Sequence, residues 1–197
     1  MPRQPLYDRQ RALDQAVQLF WQQGFHATSI KDVERALDMR PGSIYAAFGS
    51  KSRLFQDALD RYAQQGLAEL EAQLQSHASP LSGLADYLRS LGGLRDRVVP
   101  CRACMLVKSL LELGERDAAA QNQADRLLAL MEARFVACFE AAQEAGEIAT
   151  TQSPVRLGRR LQAEIMGLRA YAQRDVDATA LRQLADDMAV SIEQLRV

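Results

Sequence analysis

The stretch Arg40-Pro41-Gly42-Ser43-Ile44-Tyr45-Ala46-Ala47-Phe48-Gly49-Ser50-Lys51 decides how the rest of the chain is read. Pro41, whose fixed φ suits a first helical turn, opens a short helix, and Gly49 ends it. Ile44 and Phe48, four apart, anchor that helix inward, so Arg40, Ser43 and Tyr45 face outward and Gly42 leaves the backbone open to close approach. Two helical patterns precede it. From Gln10 to Gln23 the apolar residues Leu13, Ala16, Val17, Phe20 and Trp21 share a face, and Gly24 follows where helices commonly end. Thr28 and Ser29 then offer N-cap oxygens, Asp32 stands at capping-box spacing from Ser29, and Ile30, Val33 and Leu37 form a stripe of about two turns. Beyond the deciding stretch, Ser50 caps a longer helix running from Lys51 to Leu74. Short helices followed by a long one, with a tight break at Asp38-Met39-Arg40, give the order of a helix-turn-helix unit. Small helical bundles without affinity for DNA share that order.

The remainder is also helical in pattern, and no stretch alternates apolar and polar residues long enough for a strand, so the fold class is all-α. Ser79-Pro80 and Ser153-Pro154 each pair an N-cap with proline at the first helical position. Gly92-Gly93 and Pro100 break the middle region. The longest pattern runs from Asp117 to Ala145, with Leu128, Met131, Phe135, Cys138, Phe139 and Ala142 on one face, and Gly146 marks its end. Two further helices follow, carrying the stripes Leu157, Leu161, Ile165, Leu168 and Leu181, Leu184, Met188, Ile192.

Composition bounds the function. The chain has 197 residues, 24 Lys+Arg against 25 Asp+Glu and 48% apolar residues, the profile of a soluble globular protein with a core of its own. Residues 1–61 carry a net +2 and the remainder −3, which excludes a uniformly basic nucleic-acid binder but leaves room for a local basic face. No apolar run is long enough for a membrane span, and Met1 to Tyr7 lack the apolar centre of a signal peptide, so a cytoplasmic protein with reduced thiols is expected. Two histidines and a single Cys-x-x-Cys do not make up a zinc site, and neither a metal nor a cofactor is expected. No phosphate-cradling glycine motif or nucleophile elbow occurs, and the two histidines lie far apart, so catalysis is not expected.

Gly42, Ile44, Tyr45, Phe48 and Lys51 match the Gly-x-(Leu/Ile)-Tyr-x-x-Phe-x-x-Lys signature of the TetR family of bacterial transcriptional regulators, which residues 8–60 resemble. Phe25, Thr28 and Val33 fit the same family's approach to its second helix. Asp38 stands where the family usually has a turn glycine, and Arg40 where a small hydroxyl residue often caps the third helix. Asp tolerates left-handed backbone better than most residues. The resemblance implies a helix-turn-helix DNA-binding domain at residues 1–52 and a helical ligand-binding and dimerisation domain at 53–197. It implies a repressor released from double-stranded operator DNA by a small-molecule effector, with Thr28, Tyr45 and Lys51 on DNA phosphates. Ser29, Pro41 and Gly42 complete the expected DNA-binding set. Base reading falls to Arg40 and Ser43, since an arginine fork can take guanine O6 and N7 in the major groove.

For the rest of the chain the expectations rest on that resemblance. A ligand cavity is expected among Tyr62, Tyr87, Met105, Leu110, Met131, Phe135 and Met166, which are bulky and apolar and for which core packing is the competing reading. A homodimer is expected through the last two helices, on Leu157, Leu161, Ile165, Leu168, Leu181, Leu184, Met188 and Ile192, although the same stripes equally suit the core of a single chain. Cys101 and Cys104, beside Arg102 at a helix start, form a possible redox pair. A thiol-based sensor of oxidants or electrophiles is therefore one alternative, and buried structural cysteine, with Cys104 on an inward stripe with Val107 and Leu111, is the other. A helical carrier of small molecules without DNA affinity is a further alternative.

Overall fold

The computed structural model describes residues 8–197, and at positions 115 and 116 the backbone alone. The helices, in chain order, are α1 Arg9–Gln23, α2 Ile30–Leu37, α3 Pro41–Phe48, α4 Lys51–Gln75, α5 Pro80–Leu91, α6 Met105–Leu113, α7 Ala118–Glu144, α8 Pro154–Ala172 and α9 Ala178–Glu193. Short 3₁₀ turns at Gly92–Arg95 and Gly114–Asp117 follow α5 and α6. Among the described residues there is no β-strand beyond a single bridge between Ile148 and Arg196. None of the described helices is long and apolar enough to cross a membrane.

The boundaries follow from local chemistry. Asp8 caps α1 by accepting from the Gln10 N–H at 2.9 Å, and Gly24 ends it at φ 85°. Ser29 and Asp32 form the full capping box of α2. Asp38 ends α2 in the left-handed region, φ 50° and ψ 45°, so aspartate does serve at the turn position. Arg40 precedes α3 with no side-chain cap, and Pro41 takes the first helical position, where no N–H is needed. The Ser79 and Ser153 oxygens accept from the Ser82 and Arg156 N–H groups, opening α5 and α8 as serine-proline pairs.

The chain packs as two compact units. The first takes residues up to 64 together with 105–127, and the second takes 65–104 with 128–197. In the first, Ala16, Val17, Phe20, Val33, Ile44, Phe48, Leu54, Phe55 and Leu59 are buried. Phe20 meets Phe55 edge to face, ring centroids 5.0 Å apart, and Trp21 meets Tyr62 at 5.1 Å. The second unit has a core from α5, the later part of α7, α8 and α9, including Leu81, Leu84, Leu88, Phe139, Leu161, Leu168, Leu181 and Ala189.

That core corrects the expected dimer stripe. Leu161, Ile165, Leu168, Leu181 and Ile192 are buried within the chain's own core, and Leu157, Leu184 and Met188 pack against it partly buried. A 3.6-residue stripe shows which side chains share a face but is silent on whose surface covers it.

Candidate nucleic-acid interface

The amphipathic division of α3 creates the site. Ile44 is fully buried and Phe48 nearly so, while Arg40, Pro41, Gly42, Ser43, Tyr45 and Ala46 are exposed. Tyr45, a large aromatic side chain, stands 48% exposed. No partner atom lies within 4 Å of a Cβ built at Gly42, so backbone can be approached there. The Met39 N–H reaches back to Glu34 O at 3.2 Å and Met39 itself is buried, which fixes the turn between α2 and α3. Arg9 adds a cation over the Phe48 ring at 5.1 Å, and its guanidinium donates to Asp57 at 2.9 Å.

Cations flank this face that charge counting alone had left unplaced. Lys31 and Arg35, four apart on α2 and opposite buried Val33 and Leu37, are exposed and line an open depression with Glu34, Asp38, Met39, Arg40 and Pro41. Their spacing was the available signal, since positions i and i+4 share one helical face. Ser29 is exposed as well, at the α2 N-terminus, where its hydroxyl and main chain bind Asp32 and hold that carboxyl below its usual pKa.

Thr28 and Lys51, expected on DNA phosphates, are engaged here with main-chain carbonyls. Thr28 is 1% exposed, and its hydroxyl donates inward to Gly24 O at 2.5 Å. The Lys51 ammonium donates to Phe25 O at 2.8 Å and Thr28 O at 2.7 Å, and it lies 4.1 Å from the centre of the Phe25 ring. Burial pushes its pKa down, opposed by the charge of Glu112. Both polar groups serve the connection between α1 and α2, where main-chain carbonyls would otherwise lack partners.

The residues expected to line a ligand cavity divide between the units. Tyr62, Met105 and Leu110 belong to the first; Tyr87, Met131, Phe135 and Met166 belong to the second, where the Tyr87 and Phe135 rings lie 6.4 Å apart. Met105, Tyr87 and Phe135 are buried. Burial pushes the Tyr87 phenol pKa up, with the charge of Arg169 opposing. Cys101 and Cys104 are free thiols in the irregular segment before α6, Cys101 buried and Cys104 partly so. Cys101 Sγ lies 3.5 Å from Gln173 Oε1, which also accepts from the Arg102 N–H at 3.0 Å. Leu111 is 84% exposed, so the inward stripe expected to run through Cys104, Val107 and Leu111 does not form.

Comparison with known proteins agrees with this geometry. Residues 12–58 match the family model for bacterial regulatory proteins of the tetR family. The chain is 29% identical over 184 residues to the HTH-type transcriptional repressor ComR of Escherichia coli, covering 93% of this chain and 88% of that one. It is 30% identical over 156 residues to the HTH-type transcriptional regulator AcrR of Shigella flexneri, covering 75% of this chain and 71% of that one. Among solved structures, a cysteine-substituted form of the TetR family regulator CifR, complexed with 26 bp double-strand operator DNA, superposes with a TM-score of 0.86. That protein is 26% identical, and the match covers 97% of this chain and 99% of CifR. Fold, signature and relatives agree: the chain belongs to the TetR family of bacterial transcriptional regulators.

Proposed function

We propose that the protein is a transcriptional repressor that holds a two-fold operator as a homodimer in the cytoplasm and leaves it when a small-molecule effector binds. It acts by binding rather than by catalysis. One observation carries the reading: α3 is anchored by buried Ile44 and Phe48 while Arg40, Gly42, Ser43 and Tyr45 stand exposed together, as a major-groove helix requires. Arg40 and Ser43 read base edges, Tyr45 and Ser29 meet phosphates, and Lys31 and Arg35 add charge along the same side. Residues 1–52 carry the DNA-binding function, and residues 53–197 carry effector binding and dimerisation. In the dimer, Leu157, Leu184 and Met188 are the members of the terminal stripes that one chain leaves partly uncovered.

Release follows from linkage. An effector that prefers one spacing of the paired α3 helices disfavours the other, and a tenfold loss of DNA affinity requires about 1.4 kcal/mol of such preference. The test is selection from a pool of random duplexes by the full-length protein. Enrichment of a two-fold symmetric sequence, with half-sites about 34–36 Å apart or a multiple of that, is expected. Absence of any enriched sequence contradicts the proposal, and a monomer at micromolar concentration in sedimentation contradicts the dimer.

A further inference from the structure

We infer that Glu112 is a positioning residue for DNA binding: from α6 its carboxylate fixes the connection between α1 and α2, and thereby the placement of the helices that meet DNA. This rests on the DNA-binding reading above. Between the end of α1 and the start of α2 the chain has main-chain groups with no helical partner, and side chains supply them. Glu112 accepts from the Phe25 N–H at 3.1 Å and from the His26 N–H at 2.6 Å, one through each carboxylate oxygen. One turn earlier on α6, the Lys108 ammonium donates to Trp21 O at 2.7 Å and Gln22 O at 3.4 Å. Lys51 completes the set from the start of α4, on Phe25 O and Thr28 O.

The signs of the charges match the groups they hold. The Lys108 ammonium meets the carbonyls of Trp21 and Gln22 at the end of α1, where the helix dipole is negative, the Lys51 ammonium meets the carbonyls of Phe25 and Thr28 in the connection, and the carboxylate meets the N–H groups of Phe25 and His26. Gly24 is part of the arrangement. A Cβ there would lie 2.4 Å from a Glu112 carboxylate oxygen, so the glycine both adopts φ +85° and admits the carboxylate. α2 and α3 are eight residues each and cannot hold themselves. Their placement depends on the connection that Glu112 and its partners fix.

Charge alone predicts the opposite effect from positioning. A carboxylate in the compact unit that carries α3 repels phosphate, so neutralising it should tighten binding. If Glu112 positions the α1–α2 connection, neutralising it weakens binding instead. The test is Glu112→Gln in the full-length chain, which keeps the side chain's size but turns one acceptor into a donor facing an N–H. In the free protein, hydrogen exchange at the Phe25 and His26 amides should rise at least about tenfold, while the Ile44 and Phe48 amides keep their protection. Affinity for the duplex selected by the wild type should fall about tenfold, a difference of about 1.4 kcal/mol, equally for all single-base variants of that duplex. Lys108→Met, which keeps the stem and removes the bonds to α1, should weaken binding in the same direction by about threefold, a smaller free-energy change. Unchanged or tighter binding by Glu112→Gln overturns the inference, as does weaker binding with unaltered exchange at Phe25 and His26. If the wild type selects no duplex, the DNA-binding reading fails, and the exchange measurement still judges the Glu112 clamp.

Discussion

The two compact units are held together by different means. In the first, helices of eight residues with two buried anchors each are joined through polar groups bonded to main chain, the Ser29–Asp32 capping box and Lys51 on the carbonyls of Phe25 and Thr28, with Asp38 ending α2 in the left-handed region. In the second, longer helices are placed by apolar burial around Leu81, Leu84, Phe139 and Leu181, and the ion pairs lie at its edge. There Arg89 joins Asp86 at 3.1 Å, Asp186 at 2.9 Å and Glu193 at 2.8 Å, and Arg134 donates to Glu71. The contrast teaches where the chemistry is readable. A helix with a few buried anchors leaves its other face free for recognition, whereas a helix surrounded by core declares packing before anything else.

The largest expected effect separates the units by function rather than by stability. Phe48→Ala in the first and Phe139→Ala in the second should each lose about 3–5 kcal/mol in denaturant unfolding, since both rings are buried. At a temperature where both variants remain folded, only Phe48→Ala should lose operator binding, because Phe48, with Ile44, anchors α3 and Phe139 lies in the other unit's core. Equal losses of binding would dissolve the distinction.

A smaller effect probes how closely the helices of the second unit approach. A Cβ at Gly158 of α8 would lie 2.6 Å from Val136 Cγ2 and 2.8 Å from the Val136 main-chain nitrogen on α7. Overpacking of that kind costs about 1–3 kcal/mol, so Gly158→Ala should lower the midpoint of thermal unfolding. On the recognition face, Arg40→Ala should cost about 1–3 kcal/mol and relax preference at one base position in each half-site. A uniform loss over all operator variants would make Arg40 a phosphate contact instead.

The smallest effect depends on pH and belongs to the second unit. His77 Nε2 lies 2.7 Å from Asp86 Oδ2, and Nδ1 lies 3.0 Å from Gln73 O and 2.9 Å from the Ser76 hydroxyl oxygen. The Gln73 carbonyl, with the Asp86 carboxylate, favours the doubly protonated ring and raises its pKa above the ordinary 6.5. A raised folded-state pKa gives stability that is fully present below the unfolded value and fades as pH rises through the folded one. Asp86, held low by Arg89 and His77, sets the acidic limit of that window. Denaturant midpoints should therefore fall modestly between pH 6 and pH 8 in the wild type, and His77→Gln should remove that component.

Most of the fold was legible because capping chemistry is local. Pro41 with Gly49, and the two serine-proline pairs, mark helix ends through groups within a few residues of each other, and the helices begin and end there. The α3 face was legible for the same reason, as Ile44 and Phe48 fix which side faces in. Thr28 and Lys51 were not, since their partners, the carbonyls of Gly24, Phe25 and Thr28, are main chain and leave no mark in the residue pattern. Glu112 was invisible for a stronger reason: its partners lie 87 and 86 residues away. The terminal stripes were seen, but periodicity does not distinguish a chain's own core from a partner's surface.

The central claim, that the exposed face of α3 reads operator DNA, is tested most directly by measuring affinity for the selected duplex and for a scrambled duplex of equal length from 50 to 200 mM salt. The account predicts binding at least about a thousandfold tighter to the selected duplex, with affinity for both falling steeply as salt rises. Equal affinity for the two duplexes, or binding indifferent to salt, would contradict it.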